Sequence, residues 1–194
     1  MTGTGRKTLK DIATVPTPNE LWTQLRTGVG WDYKYNKQRF LLRDKALVCL
    51  LYLGCLRVSE GLRVTKSMVQ VLDDRVLIQG ILLSKSKRKD KNRKVLYRDV
   101  QMPRSGDRVK FTRLFIAYYK VAQDKMFAFS TNRAWNTTKK LLPQATCHWL
   151  RSWGDTYLYE VWDHDIVAVS DYTKQDVRTL QLYIRKQYEK YPVA

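Results

Sequence analysis

The sequence predicts an α+β domain that is mainly helical and carries one small antiparallel β-sheet or hairpin. Three observations lead there. Apolar residues recur at helical spacing through 42–54 and again through most of the C-terminal half. Two short β-prone runs, Val76-Leu77-Ile78 and Ile81-Leu82-Leu83, are followed by a segment at 94–102 with Val95, Val100 and Met102 as its apolar positions. Pro103 and Gly106 then separate these strands from a return to helical patterning. With 194 residues, 44% of them hydrophobic, the chain can bury a core of its own.

Residues 1–18 are basic and punctuated by Gly3, Gly5, Pro16 and Pro18, as in a flexible arm or the end of a linker. Asn19 is a suitable N-cap for a short helix opening with Glu20-Leu21-Trp22. The helix over 42–54 gathers Leu47, Leu50, Leu51 and Gly54 on one face, with Arg43, Asp44 and Lys45 near its start. Between the β-prone segments, positions 85–94 hold seven basic residues in ten, a run that normally stays a solvated loop. Further helices are predicted over 113–121, 132–142, 147–162 and 174–188. There is no internal repeat.

The charge is strongly one-sided. Thirty-six Lys and Arg against 18 Asp and Glu give a net charge of +18, the footprint of a polyanion binder, and nucleic acid is the partner expected. Charge alone fits equally a protein that coats phosphates without chemistry. No run approaches the roughly 20 apolar residues of a membrane helix, and the N-terminus lacks an apolar signal region, so a soluble cytoplasmic chain without membrane contact is expected. Cys49, Cys55 and Cys147 form no CxxC pair and are odd in number, which argues against a disulfide framework. His148 and His164 are the only imidazoles and show no metal-ligand spacing. No cofactor and no metal are expected.

Four segments carry chemistry. Gly54-Cys55-Leu56-Arg57-Val58-Ser59-Glu60 offers an arginine whose planar fork suits a phosphate, with an acid three residues on to hold it. Cys147-His148-Trp149-Leu150-Arg151 puts His148 and Arg151 three apart, on one helical face. Asp176-Val177-Arg178-Thr179-Leu180-Gln181-Leu182-Tyr183 ends on a tyrosine 32 residues beyond Arg151. The basic run supplies lysines after an apolar strand. Each piece alone is weak, since an arginine at a helix start is usually structural and Tyr183 is one of 12 tyrosines.

Together and in this order, across about residues 38–188, the segments resemble the catalytic domain of the tyrosine recombinases, the phage, archaeal-virus and Xer-like integrases. The family's G-x-R-x-S-E pattern corresponds to the Arg57 segment, with one extra residue between Gly54 and Arg57. Its H-x-x-R box corresponds to His148 and Arg151, and its D-x-x-T-x-x-x-Y stretch to the segment ending at Tyr183. Phe127-Ala128-Phe129-Ser130 resembles the segment that precedes the H-x-x-R helix in archaeal and viral-type integrases. One position departs: where the family has a histidine or tryptophan after glycine, this sequence has Thr173-Lys174. Lys174 offers a point charge but neither stacks nor exchanges a proton near neutral pH.

The resemblance narrows the partner to double-stranded DNA and implies a helical catalytic domain at 19–194 that cuts it without metal or ATP. Tyr183 is the implied nucleophile, Arg57, His148, Arg151 and Lys174 the implied phosphate cradle. A hairpin lysine is the implied general acid to the leaving 5′ oxygen, Lys85 first and Lys87 second. Lys87, Arg88, Lys89, Lys91 and Arg93 are then expected on backbone phosphates. The family's N-terminal core-binding domain is expected to be absent from this chain, and strand exchange implies a homotetramer on two duplexes. Two other functions fit the same residues: a type IB topoisomerase-like relaxase, and a degenerate integrase that grips DNA without cutting it.

Overall fold

The computed structural model describes residues 15–30, 37–84 and 96–188. The basic-run residues Lys85, Lys87, Arg88, Lys89, Lys91 and Arg93 lie outside them, as do residues 1–14 of the expected arm.

Helix α1 spans Pro18–Thr27 and is capped by Thr17, not by Asn19. The Thr17 hydroxyl accepts from the Glu20 N–H, the Glu20 carboxylate accepts from the Thr17 N–H, and Pro18 fills a first-turn position that needs no donor. This reciprocal box satisfies two groups at once, which moves the start ahead of Asn19. Helix α2, Lys37–Leu53, begins five residues before the expected start at Leu42. Residues 46–53 are buried on every side, so α2 is the central helix of the core and not a helix with one apolar stripe.

After the single turn of α3, Val58–Gly61, the chain enters an antiparallel sheet of order β1-β2-β3: Val69–Val71, Arg75–Leu82 and Tyr97–Pro103. Val76 pairs with Met102 and Ile78 with Val100, which points one row of apolar side chains at the core. The register shifts between Ile78 and Ile81, where Gly80 adopts φ +68° and donates its N–H to Asp99. Strand β1 was not expected, because Val69-Gln70-Val71 is too short to show a period.

Helices α4, Val109–Val121, α5, Thr131–Leu141, and α6, Cys147–Val161, follow the predicted order. The expected helix over 174–188 is instead two. Helix α7 covers Ile166–Thr173, and α8 covers Val177–Tyr188. Lys174 ends α7 in the left-handed conformation at φ 53°. The β-branched start Ile166-Val167 hides α7 from a propensity reading. Asp165 stabilises it by accepting from the N–H groups of Val167 and Ala168, and Val169 buries its inner face.

The main core joins α1, α2, α4, α5, α6 and the inner face of the sheet. A second, smaller cluster of Cys55, Leu158, Val169, Leu180 and Ile184 seats α7 and α8 on α6. Helix α6 lies so close to α2 that a Cβ on Gly154 would come within 2.2 Å of the Tyr52 carbonyl oxygen. Among the described residues no helix is long and apolar enough to cross a membrane.

Candidate active site

The turn from α2 into α3 places Arg57. Cys55 takes φ +48°, a left-handed value that glycine adopts most easily, at the position two before the arginine where the family's pattern has its glycine. Gly54 is small for a different reason, since a Cβ there would meet Leu50, Leu56 and Val100 within 2.9–3.1 Å.

Glu60 then organises two arginines. One carboxylate oxygen accepts from the Arg57 backbone N–H at 2.9 Å and from Arg151 Nη1 at 3.4 Å, and the other from Arg57 Nη1 at 3.0 Å and the Ser84 N–H at 3.2 Å. Glu60 is 1% exposed and Arg151 3%, while Arg57 keeps 30% of its side chain open. The buried Glu60 carboxylate between the two guanidiniums offsets their repulsion, and the buried Asp155 carboxyl adds a further opposing charge beside Arg151. Burial by itself raises the Glu60 pKa, but the backbone N–H of Arg57, the Arg151 charge, the Ser84 N–H and the Arg57 charge together hold it below the usual carboxylate value.

Helix α6 is capped by Thr146 and presents His148 and Arg151 from its first two turns. Helix α8 brings Tyr183 across to them: its hydroxyl lies 2.8 Å from His148 Nε2. Arg57 from the turn before α3, His148 and Arg151 from α6 and Tyr183 from α8 thus form one cluster. Solvent reaches the His148 side chain, yet the surrounding protein lowers its pKa from the usual 6.5, with the charges of Arg151 and Arg57 acting in the same direction. At neutral pH the imidazole is uncharged, so Nε2 can accept the phenol proton. Burial raises the Tyr183 pKa, with Arg151 and Arg57 pulling it down and Asp155 pushing it up. The phenol is protonated at neutral pH.

Lys174 is not brought into the cluster. It is exposed at the end of α7, and among the described residues its side chain makes no hydrogen bond or ion pair. Its neighbour Gln175 points inward and donates to Asp155 at 2.6 Å. Three buried groups near the site were not predicted from the sequence: Asp155, Gln175 and Arg98, the last donating to the carbonyls of Gly54 and Tyr172. Asp155 carried a readable signal, since it lies one helical turn beyond Arg151 on α6. Arg98 and Gln175 carried none.

No family model and no curated protein matches the sequence. Solved structures do. XerH site-specific recombinase bound to palindromic difH substrate, a post-cleavage complex, matches with a TM-score of 0.62 and 14% identity over 89% of this chain and 49% of that one. XerH bound to difH substrate in a pre-cleavage complex matches with a TM-score of 0.61 and 16% identity over 93% of this chain and 53% of that one. The chain thus spans about half the length of these XerH chains. The fold is that of a tyrosine recombinase catalytic domain, mainly helical around one three-stranded antiparallel sheet.

Proposed function

We propose that this chain is a site-specific DNA recombinase or integrase that breaks and rejoins duplex DNA through a 3′-phosphotyrosyl intermediate on Tyr183. The observation that carries this reading is the Tyr183 hydroxyl at 2.8 Å from His148 Nε2, beside the Arg57–Glu60–Arg151 triad. The likeness to recombinases solved on DNA and the net charge of +18 support duplex DNA as the partner.

A phosphodiester resists attack because its anionic oxygens repel nucleophiles, so the site must supply cations where charge grows. Arg57 and Arg151 do so, whereas Lys174, exposed at the end of α7, would add a point charge in place of the family's histidine or tryptophan only by turning toward the bound phosphate. As the Tyr183 oxygen bonds to phosphorus, its proton passes to His148 Nε2 and the bond to O5′ breaks. A hairpin lysine gives a proton to that oxygen, and the reverse sequence rejoins a strand. Lys85 directly follows Ser84, whose N–H binds Glu60, which favours Lys85 over Lys87 for this role. Lys87, Arg88, Lys89, Lys91 and Arg93 would grip backbone phosphates. Exchange between two duplexes would require four copies of the protein.

The separation of Lys174 from the cluster favours, as a second reading, a DNA-gripping module that does not cut. One experiment decides: incubation with a duplex pool of randomised sequence carrying 5′-bridging phosphorothiolates, followed by denaturing electrophoresis and peptide mapping. A covalent adduct at Tyr183 is expected. Retarded DNA without any adduct would favour the second reading.

A further inference from the structure

The turn joining α7 to α8 contains a buried polar contact that none of these roles uses. Gln175 is 5% exposed, and its Nε2 donates to Asp155 Oδ2 over 2.6 Å. Asp155 is wholly buried, and its other oxygen has no partner beyond the neighbouring Cys55 thiol. A buried acceptor with one strong donor loses far more than the net value of a hydrogen bond when that donor is removed. The turn is also fixed locally: Ser170 Oγ donates to the Gln175 carbonyl at 2.6 Å, and Asp176 caps α8 by accepting from the Arg178 N–H at 2.9 Å. Beyond this turn α8 rests on a small apolar cluster through Leu180 and Ile184. Tyr183 lies between those two anchors, so a small change in how α8 seats would move its hydroxyl off His148.

We infer that Asp155 and Gln175 are positioning residues, whose buried hydrogen bond sets the seating of α8 on α6 and so holds the Tyr183 hydroxyl on His148 Nε2. The consequence for cleavage rests on the reading of Tyr183 as nucleophile, whereas the seating can be measured without DNA. The groups facing Asp155 are Arg151 on its own helix, Arg98 from β3, the Cys55 thiol from the turn before α3, and Gln175. Burial pushes its carboxyl up to about 6, with Arg151 the main opposing charge.

The test follows the proton resonances of the two histidines in the DNA-free chain as pH is varied. His164 lies on the surface beside Glu160 and serves as an internal control. Gln175→Ala should raise the His148 titration midpoint by about half a pH unit or more, because His148 becomes less buried and loses the Tyr183 donor. His164 should not move. Asp155→Leu should behave as Gln175→Ala does, whereas Asp155→Asn keeps an acceptor oxygen and should leave His148 near its wild-type midpoint. In single-turnover cleavage at saturating DNA the first two variants should slow by about tenfold or more with binding unchanged.

An unmoved His148 in Gln175→Ala, or a shift in Asp155→Asn equal to that in Asp155→Leu, would overturn the inference. If Gln175→Ala does not fold, Gln175→Glu carries the test. Its two carboxyls share a proton in acid and repel above neutrality, so α8 amides should exchange faster than wild type at pH 8 and match it at pH 5, and equal exchange at both would overturn the inference. A wild-type chain that forms no adduct defeats the strand-transfer reading but leaves the histidine result intact.

Discussion

Tyr183 and His148 are 35 residues apart in the chain, yet the hydroxyl of one meets Nε2 of the other at 2.8 Å, with the rings edge to face at a centroid distance of 5.2 Å. The helix bearing the tyrosine is therefore docked beside the basic cluster in the same chain. A phenol whose pKa is raised faces an imidazole whose pKa is lowered. That pairing suits proton transfer at neutral pH, because the acceptor is unprotonated before the reaction begins.

Tyr183→Phe removes the oxygen proposed as nucleophile and little else. Affinity for duplex DNA should stay near wild type while the covalent adduct disappears, as read by gel retardation and denaturing electrophoresis side by side. An adduct that persists, or one mapping to Tyr172 or Tyr188, would show that another residue attacks.

The rate of cleavage should rise with pH through the His148 titration and level off by the ordinary histidine value of 6.5, because only neutral Nε2 accepts the phenol proton. His148→Ala should slow the step by about a hundredfold or more and flatten this limb. Single-turnover rates between pH 5 and 8 provide the measurement.

Arg57→Ala and Arg151→Ala should each slow cleavage by at least about a hundredfold, roughly 3 kcal/mol of transition-state stabilisation. Lysine at either position should restore little, because a bidentate fork becomes a point charge. Single-turnover rates within about threefold of wild type in an alanine variant would remove that arginine from the cradle.

Glu60→Ala takes from the buried Arg151 guanidinium its ion-pair partner, leaving Asp155 as the remaining anion near it, and should cost roughly 3 kcal/mol in urea unfolding. The sign of the pH dependence follows from its depressed pKa. Glu60 contributes stability above the ordinary carboxylate value of 4.5, and the contribution is lost as pH falls through the lower folded value. The stability difference between wild type and Glu60→Gln should therefore shrink below about pH 4.5. A constant difference from pH 3 to 7 would mean that Glu60 holds no net charge pairing.

Lys85→Ala should block cleavage of ordinary DNA, because the 5′ oxygen would leave as an alkoxide, and a 5′-bridging sulfur should restore it. The same sulfur should not rescue Arg57→Ala. Lys87→Ala, Lys89→Ala and Lys91→Ala should weaken binding and lower the salt slope by about one unit each. Rescue of Lys87→Ala instead would move the acid two residues along the hairpin.

Local patterning in the sequence was enough for the α+β class, the central helix and the strands β2 and β3, while Arg57, His148, Arg151 and Tyr183 stood out only through the ordered segments that resemble the tyrosine recombinases. Those features depend on near-neighbour spacing: helical periodicity, an H-x-x-R on one face, and an ordered set of polar signatures. The acid three residues after Arg57 was legible for the same reason, since an i, i+3 pair at a helix start needs no tertiary information. Nothing local, however, marks Glu60 as the carboxylate that also takes Arg151, 91 residues on. Nor does any spacing separate Gln175, turned inward to Asp155, from Lys174, turned out to solvent; that division is set by a left-handed residue ending α7 and by which side of the turn meets α6. The α7–α8 break, the burial of α2 on all sides and the left-handed turn at Cys55 were settled in the same way. Each depends on surfaces far apart in the chain coming into contact, and burial and hydrogen-bond satisfaction at those surfaces outweigh the few tenths of a kcal/mol by which local propensities differ.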